Sequence, residues 1–111
     1  MAHHASQSSF DIAVHCAYEC EHCADSCIGD EMMAECARIC RDCADICWTA
    51  SAFMSRGSRF IAQLVNTCIP ICEACAAECE KHDSEHCRKC AVACRSAADG
   101  YRKIATVGGV A

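Results

Sequence analysis

The stretch Cys16-Ala-Tyr-Glu-Cys20-Glu-His-Cys23-Ala-Asp-Ser-Cys27 places four thiols at offsets of 0, 4, 7 and 11 residues. On a helix turning about 100° per residue, such offsets fall within an arc of about 60°, so all four sulfurs share one face. The spacing C-x3-C-x2-C-x3-C returns at Cys36, Cys40, Cys43 and Cys47, and again at Cys68, Cys72, Cys75 and Cys79. A fourth copy, Asp83, Cys87, Cys90 and Cys94, carries a carboxylate in its first position. The four copies account for all 15 cysteines. A pattern of this kind constrains the chain to four helices, each with one thiol face, and those faces have to be buried together.

Composition bears on how that burial is achieved. Leu, Ile, Val and Phe make up only 17 of 111 residues, too few for an ordinary apolar core. Cysteine and alanine supply the missing volume, since a free thiol packs as a small hydrophobe. Such a core is thin, and bound metal or subunit association is expected to add stability.

Short breaks separate the helices. Helix 1 is expected from Ser8 or Ser9 to Ile28, with Asp11 in its first turn, and Gly29-Asp30 ends it and caps the next. Helix 2 is expected over 31–54, and Ser55-Arg56-Gly57-Ser58 stops it. Helix 3 is expected over 58–81 with Pro70 bending it, and helix 4 is capped by Asp83 or Ser84 and runs to Ala98 or a turn or two beyond. Short connections make sequence neighbours antiparallel. The fold class is thus all-α: an up-down-up-down four-helix bundle over residues 9–106, with a flexible arm at 1–8 and a loose tail at 107–111. Antiparallel register predicts four flat layers: Cys16/Cys47/Cys68/Cys94, Cys20/Cys43/Cys72/Cys90, Cys23/Cys40/Cys75/Cys87 and Cys27/Cys36/Cys79/Asp83.

The two ends of the inward faces differ. Beyond the first layer they carry an apolar plug of Ile12, Met54, Ile61, Leu64, Val65 and Tyr101. Beyond the last they carry Met32, Met33, His82, Asp83 and His86. Thioether, imidazole and carboxylate groups suit an open mouth where metal enters a sulfur core, and these five are the candidate ligands there. The bland alternative is core filler and solvated histidine.

Net charge is −5, with scattered basic residues, which argues against nucleic acid as a partner. No apolar run is long enough to span a membrane. The first nine residues have no apolar core of a secretory signal, so a cytosolic protein with reduced thiols is expected, and metal rather than disulfides. Ala2-His3-His4 would offer square-planar nitrogen to Cu(II) if Met1 is removed, but a disordered end is the simpler reading. No serine–base pair or glycine-rich phosphate loop points to an enzyme, and the carboxylates lie mainly on solvent faces. His15, His22 and most charged residues read as solvated exterior. A further apolar line on helix 2, Met32, Ile39, Ile46 and Phe53, with Trp48 nearby, either packs within the chain or makes a subunit interface.

A thiol column selects soft Cu(I), which accepts two or three sulfurs. Clustered thiols that are desolvated and mutually repelling are expected to be largely neutral when empty. Each Cu(I) taken by two thiolates displaces two protons. Roughly one ion per one to two thiols is expected. The alternative is zinc in tetrathiolate layers, as a structural or zinc-buffering protein. Iron–sulfur clusters, a disulfide-stapled bundle and a C-x2-C redox enzyme fit less well, because loop-borne ligands, an oxidising compartment and a βαβ context are all missing.

In the repeated C-x3-C-x2-C-x3-C spacing from Cys16 to Cys94, the chain resembles the bacterial, cytosolic type of cysteine-rich four-helix-bundle copper storage protein. The resemblance implies Cu(I) storage or detoxification, filling from one end, with all 15 cysteines as ligands, and homotetramers. A copper chaperone or copper-requiring enzyme would be the partner. Asp83 departs from the pattern, and Asp83→Cys is expected to raise copper capacity.

Overall fold

A computed structural model describes residues 7–110. Four helices form it: α1 (Gln7–Ser26), α2 (Ala34–Ser55), α3 (Ile61–Glu80) and α4 (Glu85–Val110), with a short 3-10 turn, Glu31–Met33, leading into α2. Each helix packs on its sequence neighbours and α4 closes the ring on α1, which is the expected up-down-up-down bundle. It is a slender rod of 46 × 19 × 17 Å.

Local chemistry explains the boundaries. Gly29 takes φ +93°, which a side chain would resist, and ends the α1 segment. Asp30 then accepts the Met32 amide at 3.0 Å, the expected cap, although what it caps is the 3-10 turn that precedes α2. At the far end of α2, Gly57 (φ +63°) lets the Ser58 amide reach the Phe53 carbonyl at 3.0 Å and its own amide reach Met54 at 3.2 Å. That paired closure satisfies carbonyls the helix leaves open.

Other boundaries depart from expectation. α1 already starts at Gln7, so Asp11 lies beyond its first turn. α3 begins at Ile61, since the Ser58 hydroxyl holds the Phe60 amide in a preceding turn. Pro70 sits inside α3 at an exposed position. α4 runs through Val110 and takes in the expected tail from 107. The Ala2-His3-His4 segment lies outside the described residues.

The core is sulfur and methyl groups. All 15 cysteines are buried and free, and ten buried alanines, among them Ala17, Ala44, Ala76 and Ala97, lie between or beside them. Small alanines let the helices approach closely enough for thiols on facing helices to touch. The apolar plug forms as expected at one end, with Met54, Val65 and Tyr101 fully buried and Ile12, Ile61 and Leu64 packed against the core. Ile39 and Ile46 pack within the chain, whereas Met32, at 83% exposure, leaves that line altogether.

Candidate metal centre

Thirteen thiols approach one another at 3.6–4.0 Å in one continuous column. Cys27 and Cys68 stand at opposite ends, outside these approaches among the described residues.

Within each of two helix pairs the register is the one expected. Between α1 and α4, Cys16 meets Cys94 at 3.8 Å, Cys20 meets Cys90 at 3.6 Å and Cys23 meets Cys87 at 3.8 Å. Between α2 and α3, Cys43 meets Cys72 at 3.6 Å, Cys40 meets Cys75 at 3.7 Å and Cys36 meets Cys79 at 3.7 Å. Between the two pairs, however, the register slips by half a step. Cys16 lies 3.9 Å from Cys43, Cys90 3.8 Å from Cys40, and Cys87 3.9 Å from Cys36. The flat layers therefore do not form, because side chains on facing helices interdigitate rather than meet tip to tip.

The slip produces overlapping tetrads. Cys16, Cys43, Cys47 and Cys72 have sulfurs within 4.8 Å of one another, and so do Cys16, Cys20, Cys43 and Cys94. Cys20 and Cys94 recur in a third group with Cys75 and Cys90. Nearer the other end, Cys23 and Cys79 belong both to the group with Cys36 and Cys87 and to the group with Cys40 and Cys90. Sulfurs are shared along the whole length.

Electrostatics follow from this crowding. Burial pushes the Cys27 and Cys68 thiols up to about 12 and also raises Cys36 and Cys87. Inside the column the directions split, with most thiols raised and a few held down by their neighbours. Cys43 and Cys90 are each held down by hydrogen bonds from four thiols, whereas Cys20 and Cys40, which lose such bonds on ionising, are raised.

The five candidate mouth residues are placed unequally. His86 Nδ1 reaches Cys23 Sγ at 3.3 Å and Cys87 Sγ at 3.6 Å. Met33 is half-buried against the core. His82 turns to Glu78, with Nε2 2.9 Å from Oε2, and that bond lowers the Glu78 pKa. Met32 faces solvent. Asp83 does too, and it pairs with Arg88 at 2.8 Å. Its expected inward position fails because α4 starts two residues later, leaving Asp83 off the helix.

Sequence reasoning missed one polar contact at the closed end. Tyr101, placed only as apolar plug, donates its hydroxyl to Cys47 Sγ at 3.1 Å. Its register on the inward face of α4, seven residues after Cys94, is the one signal in the sequence that points to it.

Residues 2–106 match the family model described as "Copper storage protein". The uncharacterized cysteine-rich protein YhjQ of Bacillus subtilis is 37% identical over 103 residues, covering 90% of this chain and 95% of that protein. The Cu(I)-bound copper storage protein BsCsp3 superposes with a TM-score of 0.85 at 37% identity, covering 90% of this chain and 97% of the other. Ccsp of Streptomyces lividans, in a form loaded with 10 copper equivalents, gives 0.83 at 31% identity over 89% and 82% of the two chains. The sulfur column and these likenesses agree, and the chain belongs to the copper storage protein family.

Proposed function

We propose that the chain stores Cu(I) along its thiol column, for later use or for protection against excess copper, and that it is not an enzyme. The overlap of the tetrads carries this reading. A structural zinc site needs four sulfurs of its own, whereas here Cys16, Cys20, Cys23, Cys43, Cys79, Cys90 and Cys94 each belong to at least two groups. Separate zinc sites cannot fill all the groups at once. Cu(I) accepts two or three thiolates, and a thiolate can bridge two copper ions, so shared sulfurs favour a continuous chain of metal.

All 15 cysteines serve as ligands, with Cys27 and Cys68 closing the two ends. Each ion held by two thiolates releases two protons and leaves one net negative charge, half that of the two bare thiolates, and sulfurs shared between ions lower it further. Copper enters at the His86 end, where a ring nitrogen lies beside the first thiols; Met33 and His82 are within the same end, and Met32 and Asp83 form its solvent-facing rim. Two relatives among the solved structures are a single and a double histidine-to-alanine variant of the Streptomyces protein. A cytosolic location accords with the description of that protein as a cytosolic copper storage protein. A copper chaperone or copper-requiring enzyme would exchange metal at the mouth. Subunit association into a tetramer would cover the exposed Trp48 and the half-buried Phe53 on α2.

Anaerobic titration of the reduced chain with Cu(I) against a chelating competitor, repeated with Zn(II), tests the reading. On the order of ten or more tightly held Cu(I) per chain, with little zinc, is expected. Saturation at about three metals, with zinc competing equally, would replace storage by closed tetrathiolate sites.

A further inference from the structure

The plug needs only apolar surface, yet its largest side chain carries a hydroxyl. Tyr101 is 1% exposed, and its hydroxyl is aimed at Cys47 Sγ, 3.1 Å away. A phenylalanine would cover the end equally well without burying a polar group. A buried hydroxyl demands a partner, and a neutral thiol is a poor acceptor. A thiolate is a strong one, because the bond becomes charge-assisted. The hydroxyl is therefore matched to the sulfur that remains once copper has displaced the thiol proton.

The surroundings of Cys47 reinforce this. Its sulfur lies 3.8 Å from Cys72 and shares a tetrad with Cys16 and Cys43. Beyond it are Tyr101 and the apolar side chains of Met54 and Val65, all buried. A thiolate in mid-column has metal on both sides to neutralise it. At Cys47 the column gives way to the buried plug of Tyr101, Met54 and Val65, so a thiolate there would be neutralised by metal mainly from the column side. The Ser51 hydroxyl is committed to the Cys47 carbonyl at 2.8 Å, which leaves Tyr101 as the donor to the sulfur.

We infer that Tyr101 is a positioning residue for Cu(I): its hydroxyl holds the Cys47 thiolate and ends the metal chain at the closed end. The inference rests on the storage reading above. It assigns the tightest dependence on Tyr101 to the copper held by Cys16, Cys43, Cys47 and Cys72, and none to copper near the mouth.

Tyr101→Phe in the full chain keeps ring volume and removes only the hydroxyl. In chelator competition, the variant is expected to hold one or two of its ions about tenfold less tightly, with the rest unchanged. The melting temperature of the metal-free variant is expected to match the parent's. An isotope label at tyrosine Cζ gives a second readout: the Tyr101 resonance shifts on Cu(I) loading, while that of Tyr18, 62% exposed, stays. In a Cys47→Ala background, Tyr101→Phe has no further effect on copper retention. Unchanged retention, a loss spread evenly over all ions, a static Tyr101 resonance, or an equal loss in the metal-free protein would each overturn the inference. If the parent itself fails to load copper, the storage reading falls and takes this one with it. If the parent loads and the variant behaves identically, only the role of Tyr101 falls.

Discussion

His86 Nδ1 lies 3.3 Å from Cys23 Sγ, so an imidazole from the first turn of α4 touches a thiol on α1 one turn inward of Cys27. This is the point where a nitrogen ligand and the sulfur column meet. An incoming ion held by the ring and one sulfur can exchange the nitrogen for a second sulfur without leaving the protein. His86→Ala is expected to slow Cu(I) uptake by about tenfold and to leave the final capacity unchanged. Stopped-flow loading followed by equilibrium titration separates the two quantities.

Asp83→Cys is expected to add no copper capacity, contrary to what the sequence pattern suggests. The side chain at 83 is fully in solvent, off the end of α4, and its ion pair with Arg88 is exposed enough for water and salt to screen it. A thiol placed there would project into solvent rather than into the buried column. Equal stoichiometry for parent and variant, measured by metal analysis after removal of loosely bound copper, checks the placement.

The metal-free protein is expected to lose stability in alkali. Cys27 and Cys68 move from an ordinary value of 9.0 to about 12 on folding. Between those pH values the unfolded chain has released the two protons while the folded chain retains them. Stability from this source is thus complete below about pH 9 and falls as pH rises towards 12. Denaturant midpoints across this range should decline for the metal-free form and much less for the copper-loaded form, whose thiols have already given up their protons.

Two glycines should respond in opposite ways to alanine. At Gly100, inside α4, a Cβ would sit 3.7 Å from Ile12 Cδ1, an ordinary contact. Gly100→Ala should therefore stabilise by about 0.5–1 kcal/mol through helix propensity. Gly29 has open space around it but holds φ +93°, so Gly29→Ala should cost about 1 kcal/mol. Thermal melts of the metal-free variants give both signs.

The bundle was legible because cysteine spacing reports both a helical period and an inward face, and Cys16/Cys94 or Cys43/Cys72 then follow from antiparallel register alone. The half-step slip that brings Cys16 to Cys43 was not legible, since it depends on how side chains interdigitate across facing helices. Asp83 was misplaced because the repeat was extended past the start of α4, where residues no longer obey helical periodicity. His82 and His86 look alike in sequence as mouth residues. Glu78, one turn before His82, decides that only His86 turns to the thiols. Tyr101 counted as apolar volume, since a hydroxyl finding a sulfur partner leaves no mark on a hydrophobic pattern.

The closed end has a bearing on the order in which stored metal is given back. Met54, Val65 and Tyr101 are buried at one end of a column of overlapping thiol groups, so that end is closed. If ions enter and leave beside His86, as proposed, the arrangement works as a stack: last in, first out. Copper acquired most recently is the first to be retrieved. The ions deepest against Tyr101 form a reserve that turns over only when everything above them has been withdrawn.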